Sequence, residues 1–234
     1  MIGIIGGTSF YKTELTRDFS EEVIETRYGR VYALFGDNVI FIPRHGKRSD
    51  IPPHRINHRA NIMAFKERNV EMIIGVTSVG SLKREIRPRS LVIPNDYINL
   101  WNISTFYESE IMHITPGLDE SLRGIIISTA RRLGIKVIEK GIYVQTAGPR
   151  LETRAEVSLL RDYADIVGMN MGSEATLAKE LNLRYANISS VDNYANGVID
   201  EKLDFRMVIE EASKNRKKLE RLLLAVIEEL ECLS

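Results

Sequence analysis

Three short polar turns, each following an apolar run, carry groups suited to holding an anion. They are Gly6-Gly7-Thr8-Ser9, Pro43-Arg44-His45-Gly46 and Thr77-Ser78-Val79-Gly80-Ser81. Glycine lets backbone N–H groups approach an oxyanion closely, and Thr8, Thr77 and Ser78 add hydroxyl donors. Arginine grips a phosphate through two parallel N–H bonds, and the neighbouring His45 can add a further donor. Taken singly, a Gly-Gly-Thr turn or a basic loop is ordinary surface. Three of them after three strands favour one phosphate site, because ligands of open α/β sheets collect beyond the carboxyl ends of the strands. The spacing at Gly6 is not G-x-G-x-x-G, so it carries no dinucleotide signature.

Other chemistries fare worse. His54 and His58 stand four residues apart with His45 upstream, which invites a metal reading. Arg55 and Arg59 flank them and no carboxylate holds the general-base place of an H-E-x-x-H helix, so the pair reads as a surface or interface feature and no metal is expected. No G-x-S-x-G elbow and no Walker loop occurs. The single cysteine, Cys232, makes no internal disulfide and fits a reducing compartment.

Three later stretches are richer. Tyr143-Val144-Gln145-Thr146-Ala147-Gly148-Pro149-Arg150-Leu151-Glu152-Thr153 ends a strand in a Gly-Pro turn and offers Glu152 at a helix start. Asp165-Ile166-Val167-Gly168-Met169-Asn170-Met171 leads into a helix carrying Glu174. Ser189-Ser190-Val191-Asp192-Asn193-Tyr194-Ala195-Asn196-Gly197 ends a strand in polar residues. Each has a plain structural reading too: Glu152 as a carboxylate favoured by a helix dipole, Met169 as core filler.

The elements that must position these groups alternate along the chain. Residues 1–5, 31–43, 71–77, 90–94, 138–146, 165–169 and 184–191 read as strands from their Val, Ile and Tyr content and their flanking Gly, Pro and Asn. Near-continuous apolar runs such as Met72-Ile73-Ile74-Gly75-Val76 suit central strands covered on both faces. Helical spacing marks 56–68, 119–133, 153–162, 173–181 and 204–231. Asp119 is a plausible N-cap for the second of these, and Gly134 stops it. No repeat or Gly/Ser/Pro-rich linker divides the chain, so residues 1–234 read as one α/β domain.

Composition sets the outer bounds. The 234 residues are 44% hydrophobic and 27% charged, which argues against long disorder. Lys+Arg and Asp+Glu both number 32, giving a formal net charge of +0, so nucleic acid and anionic membrane are not expected partners. No basic leader precedes the first apolar run, and no apolar run approaches about 18 residues. The expected location is the cytoplasm.

Taken together, the motifs resemble the trimeric purine nucleoside phosphorylase and methylthioadenosine phosphorylase family. The resemblance rests on Ile4-Ile5-Gly6-Gly7-Thr8, Arg44-His45-Gly46, Ile56-Asn57-His58-Arg59-Ala60-Asn61, Ser78-Val79-Gly80-Ser81-Leu82, Ala147-Gly148-Pro149-Arg150-Leu151-Glu152-Thr153 and Val167-Gly168-Met169. It covers almost the whole chain, in order. It implies one α/β domain with a mixed, partly barrel-like central sheet flanked by helices, assembled as a homotrimer or a hexamer. It also implies phosphorolysis, with inorganic phosphate as co-substrate and no cofactor.

By resemblance, phosphate lies against Thr8, Arg44, His45, Thr77 and Ser78, with Asn170 where relatives have a phosphate-binding hydroxyl residue. Met169 lies under the ribose, His113 is similar to a histidine facing the 5′ substituent, and Leu151, Asp192 and Ala195 join the base pocket. Glu152 and Asn193 read the purine, and by the same resemblance they and His45 are the expected catalytic residues. Departures from the family pattern are Leu151 for a phenylalanine, Ser49 for a histidine, Asp192 for a threonine and Asn170 for a hydroxyl residue.

Base choice then follows from donors and acceptors. A 6-oxopurine presents O6 as acceptor and N1–H as donor; a 6-aminopurine reverses this. Glu152 can accept from N1–H, and the Asn193 amide can donate to O6 or engage N7. Methylthioadenosine phosphorylases are similar but place an aspartate at the position of Asn193. The expected substrates are inosine, guanosine or 5′-methylthioinosine. An adenine-specific enzyme using Asp192 through a register shift, a non-catalytic nucleoside-binding paralogue and a hydrolytic nucleosidase remain as alternatives.

Overall fold

A computed structural model describes residues 1–7, 13–101, 103–200 and 205–233, with 205–214 described as backbone only. The all-apolar runs form the centre of one mixed sheet of ten strands. Strand β1 (Ile2–Gly6) lies between β4 (Val39–Pro43) and β5 (Met72–Ser81), parallel to both, with Ile5 opposite Ile42 on one side and Gly75 on the other. Every residue of β1 and β4 is buried. Such strands need cover on both faces, and helices supply it.

Outward from β4 the sheet continues as an antiparallel meander of β3 (Gly29–Phe35) and the edge strand β2 (Ser20–Thr26). The apolar stretch 31–43 is therefore two strands, not one. Gly36-Asp37-Asn38 turns the chain between them, closed by a Gly36 N–H to Val39 O bond of 2.9 Å. Strand β2 has no apolar run to announce it; Glu21, Glu22 and Glu25 face water along its length, as suits an edge.

On the other side β5 and β10 (Arg184–Tyr194) run parallel along their whole lengths. At Gly80–Ser81 β5 exchanges β1 for the antiparallel β9 (Ile166–Gly168). Beyond β9 lie β8 (Ile142–Gln145) and β7 (Asp96–Ile98), each parallel to its neighbour. The far edge of β10 takes β6 (Leu91–Val92). Only Ile93-Pro94-Asn95 separate β6 from β7, so the two arms that diverge from β5 and β10 curl back toward each other. That makes the sheet partly barrel-like.

The helices fall where spacing placed them, within a few residues: α1 (His58–Glu67), α2 (Glu120–Arg132), α3 (Arg154–Leu160), α4 (Met171–Glu180) and α5 (Phe205–Cys232). Asp119 caps α2 by accepting from Leu122 N at 2.7 Å. Thr153 and Glu156 form a reciprocal capping box on α3. Ile4, Phe41 and Ile74 point into a core shared with α2 and α5. Ile5, Ile42 and Ile73 point the other way, into a core shared with α1 and α4. No helix among the described residues is long and apolar enough to cross a membrane.

One close approach in the core is testable. At Gly75, opposite Ile5 and Asn187, an added Cβ would lie 2.0 Å from the Tyr185 hydroxyl and 2.8 Å from the Asn187 amide nitrogen. Gly75→Ala should lower the unfolding free energy by about 1–3 kcal/mol. Urea denaturation reads this directly, and an unchanged midpoint would show that Tyr185 can move aside.

Candidate active site

Strands β1, β4, β5 and β10 run parallel, so their carboxyl ends emerge together. Arg44 follows β4 directly, its N–H bonded to Gly6 O at 2.9 Å. Its side chain turns inward and is 1% exposed. Nε donates to Glu174 Oε1 at 2.5 Å and Nη2 to Glu174 Oε2 at 3.0 Å; Nη2 also donates to Ile5 O at 3.1 Å, and Nη1 donates to Val76 O at 2.8 Å. The guanidinium has five N–H groups, so among the described residues a single Nη1 N–H stays uncommitted. The two-pronged grip that would suit a phosphate is closed on a carboxylate.

Glu174 stands in the first turn of α4, where a helix favours negative charge, and is fully buried. It also accepts from the Tyr185 hydroxyl at 2.8 Å. Burial, reinforced by the Glu174 charge, holds the Tyr185 phenol well above its usual range, so it stays a donor. Burial pulls the Arg44 guanidinium down, but the Glu174 carboxylate outweighs it and the net shift is upward. Behind this pair, Thr77 Oγ1 donates to Asn187 Oδ1 at 3.0 Å and meets Ser189 Oγ at 3.1 Å, while Asn187 Nδ2 reaches Tyr185 Oη at 3.3 Å.

Above it opens a cleft of about 570 Å³. Gly7, Arg44, His45, Ser78 and Asn170 line one end; Leu151, Glu152, Asn193 and Ala195 line it with Met169. His45 Nδ1 is 2.8 Å from Ile51 O. A carbonyl only accepts, so Nδ1 carries the proton and Nε2 is the free nitrogen. Burial lowers the imidazole pKa despite the Ile51 bond pulling it upward, so the neutral ring offers an acceptor at Nε2, not the donor that the sequence suggested.

Asn170 is the N-cap of α4, yet its side chain makes no cap bond. Gln145 Oε1 takes the Ser173 N–H at 2.9 Å, and the Tyr143 hydroxyl accepts from Asn170 N at 3.2 Å and Met171 N at 3.5 Å. The first-turn donors are thus served from β8, and the Asn170 amide is left to the cleft, its buried Oδ1 without a partner among the described residues. Such an atom is costly unless a ligand donor meets it. Nearby, Glu152 is 8% exposed and its Oε1 accepts from Thr146 Oγ1 at 2.7 Å, leaving Oε2 open.

Not every expected contact faces this space. Thr77 and Asp192 are buried and point away from it, Thr77 into the network behind Arg44 and Asp192 toward Ser190 Oγ, which donates to Asp192 Oδ1 at 2.7 Å. His113 is exposed and does not line this chain's cleft, and Thr8 lies outside the described residues. His58 is not a surface residue: it opens α1 at 9% exposure with Nδ1 4.0 Å from Glu174 Oε1, because the helix packs its first turn against α4. Sequence reasoning misses Glu174, Tyr185 and Asn187 as site residues, and Ser49–Pro53 forms a cleft wall that only Ser49 hints at. Among the described residues no group of three or more His, Cys, Asp or Glu side chains could hold a metal.

The chain is similar to known proteins in both sequence and fold. A family model described as the phosphorylase superfamily matches residues 1–228. The chain is 46% identical over 234 residues to a protein of Archaeoglobus fulgidus named a probable 6-oxopurine nucleoside phosphorylase, covering 98% of this chain and 95% of that one. It is 38% identical to a probable S-methyl-5′-thioinosine phosphorylase of Methanocaldococcus jannaschii, covering 98% and 91%, and 38% identical to an S-methyl-5′-thioadenosine phosphorylase of Thermofilum pendens, covering 99% and 94%. The methylthioadenosine phosphorylase of Schistosoma mansoni with adenine superposes with a TM-score of 0.92 at 28% identity, covering 99% of this chain and 91% of that one.

Two measurements test the buried pair and its neighbour. Glu174→Ala strands a desolvated guanidinium and should cost about 3–5 kcal/mol. Tyr185→Phe removes one donor to the carboxylate and should cost about 1.5–3 kcal/mol. Denaturant unfolding of both variants checks the order, and equal losses would mean the ion pair contributes no more than the hydroxyl.

Burial, opposed only partly by Glu174, holds the His58 imidazole at about 4 against an ordinary 6.5. The unfolded chain therefore takes up that proton near pH 6.5 and the folded chain only near pH 4, so acidification across this window favours unfolding. Stability measured at stepped pH should fall across it, and His58→Gln should flatten the fall; an identical slope in the variant would assign the loss to other groups.

Proposed function

The chain belongs to the phosphorylase superfamily, and on that premise we propose that it splits 6-oxopurine nucleosides, namely inosine, guanosine or 5′-methylthioinosine, with inorganic phosphate. The products are the free base and ribose 1-phosphate or its methylthio form, which feeds purine salvage in the cytoplasm. One nucleoside phosphorylase domain spans residues 1–234. Purine nucleoside phosphorylase chemistry is common to the named relatives; the choice of base is our reading. The observation that carries it is the pairing in one cleft of a carboxylate, Glu152, with an amide, Asn193, where an aminopurine reader would set a second carboxylate.

Phosphorolysis needs no protein nucleophile and no cofactor. Phosphate at the Gly7, Ser78 and Asn170 end attacks C1′ while the glycosidic bond loosens toward an oxocarbenium-like state, so positioning and charge carry the rate. The free Nη1 N–H of Arg44 and the Ser78 hydroxyl donate to phosphate. Neutral His45 Nε2 accepts from a phosphate O–H, which keeps the remaining oxygens available for attack. Met169 supports the ribose. As negative charge grows on the departing purine, the Asn193 amide donates to O6 or N7 and Glu152 Oε2 accepts N1–H. Thr8 remains a phosphate contact in this proposal, whereas Thr77 is bonded to Asn187 and Ser189 and is not one.

Self-association as a homotrimer or hexamer belongs to the same reading. Leu100, Trp101, Ile103 and Ile111 are large apolar side chains left 46–94% exposed, more than scattered surface residues require. His113, in the same segment, then meets the 5′ substituent in a neighbouring copy's cleft.

Methylthioadenosine phosphorolysis is the second reading, favoured by the names of several relatives. The turn of the Asp192 side chain away from the cleft weighs against it. The deciding experiment is product analysis with inosine, 5′-methylthioinosine and methylthioadenosine, each with and without phosphate. Hypoxanthine should appear only with phosphate, and Asn193→Asp should move preference toward the aminopurine. Adenine as the main wild-type product would sink the base assignment, and phosphate-independent release would make the protein a hydrolase.

A further inference from the structure

Strand β10 pairs with β5 residue for residue from Arg184 opposite Met72 to Val191 opposite Val79, and then the register slips: Asn193, not Asp192, faces Gly80. Asp192 is the extra residue of a β-bulge, a device that bends a strand and re-aims a side chain. Because of it the Asn193 amide lies over a residue without a side chain; a Cβ on Gly80 would come within 3.3 Å of Asn193 Nδ2. Without the bulge Asn193 would stand opposite the fully buried Ser81.

The backbone on either side is pinned. Val191 N–H donates to Ser90 O at 3.0 Å, Arg89 N–H donates to Val191 O at 2.8 Å, and Ala195 N–H donates to Ser81 O at 2.8 Å. Between these anchors the Asp192 side chain is turned from the cleft and is 2% exposed. Asn215 Nδ2 on α5 donates to Ser190 Oγ at 2.7 Å, and Ser190 Oγ donates to Asp192 Oδ1 at 2.7 Å. The order of donors is fixed, because Asn215 spends an N–H and the single Ser190 proton goes to the carboxylate. Each bond in such a chain polarises the next. A carboxylate is an expensive filler at this depth unless its bonds set a conformation.

We infer that Asp192 is a positioning residue for base choice: anchored through Ser190 to Asn215, it fixes the bulge that presents the Asn193 amide to the purine. This rests on the reading of Asn193 as a base contact. It makes the closing helix α5, no described residue of which lines the cleft, part of the specificity apparatus.

The test uses the full-length protein with Asp192→Ala, Asp192→Asn, Ser190→Ala, Asn215→Ala and Asn193→Asp. Three quantities are read: the inosine-to-adenosine ratio of kcat/KM, the KM for phosphate, and the thermal midpoint. Asp192→Ala, Ser190→Ala and Asn215→Ala should each lower the ratio by about tenfold, with phosphate KM held within about twofold. Asp192→Asn keeps the acceptor for Ser190 and should restore most of the ratio. A lowered midpoint with an unchanged ratio in all three would reduce the chain to a structural feature and overturn the proposal. Loss confined to Asp192→Ala would overturn it too, making Asp192 a direct base contact. If Asp192→Ala does not fold, Ser190→Ala and Asn215→Ala decide the same question. Asn193→Asp separates the two levels: an unmoved ratio there removes the base contact and this inference with it, whereas a moved ratio beside unaffected Ser190→Ala and Asn215→Ala removes the inference alone.

Discussion

A guanidinium 1% exposed, closed on a carboxylate that is not exposed at all, is the constraint around which this protein is built. Neither charge could sit there alone, since each would lose several kcal/mol of hydration on the order of what the pair returns. Geometry decides the balance. Arg44 also bonds the carbonyls of Ile5 and Val76, so one side chain ties together the ends of β1, β4 and β5, and Glu174 adds α4 to the bundle. The Tyr185 hydroxyl brings in β10. Four parallel strands and a helix start are thereby held in one arrangement, and the cleft inherits its shape from that junction.

A consequence is that the most basic residue in the cleft is already neutralised. In the proposed reading, attraction for an anion comes, among the described residues, from groups with capacity to spare: one Nη1 N–H, the Ser78 hydroxyl and the Asn170 amide that Gln145 and Tyr143 have released from capping duty. Preorganised neutral donors of this kind cost little reorganisation when charge shifts during a reaction. They also bind less tightly than a bare arginine, which suits a co-substrate that must be converted and released.

The sequence discloses residues that stand at strand ends and withholds those that depend on register. Arg44, His45, Ser78, Asn170 and Asn193 line the cleft from positions near strand ends, and Glu152 and Met169 join them from the turns that follow β8 and β9. Thr77 and Asp192 are misplaced by it for one reason: facing alternates along a strand, and a bulge adds a residue that no composition reveals. Glu174 lies 130 positions from its partner, so nothing local marks it. His58 looks like surface because Arg55 and Arg59 stand close to it in sequence, although Arg55 precedes the helix and stays exposed while His58 is buried in its first turn. The edge strand β2 is invisible for the opposite reason, since its glutamates mimic a loop.

Withdrawal of Asp192 also bears on phosphate itself. With its carboxylate held at 2% exposure against Ser190, Glu152 is the buried carboxylate left lining the cleft, while Asp50 lies on an exposed wall where water and salt screen it. Had Asp192 faced inward, two carboxylates would have shared a small space with an incoming anion. Like charges so placed raise one another's pKa and repel a third. In the proposed reading, a base reader with one carboxylate and one amide serves both substrates: the amide supplies the donor that an oxo group needs, and it does so without adding negative charge where phosphate would arrive. On that proposal the demand of the purine and the demand of the anion are met by the same choice of side chain at Asn193, and the register shift at Asp192 keeps the competing carboxylate turned from the cleft.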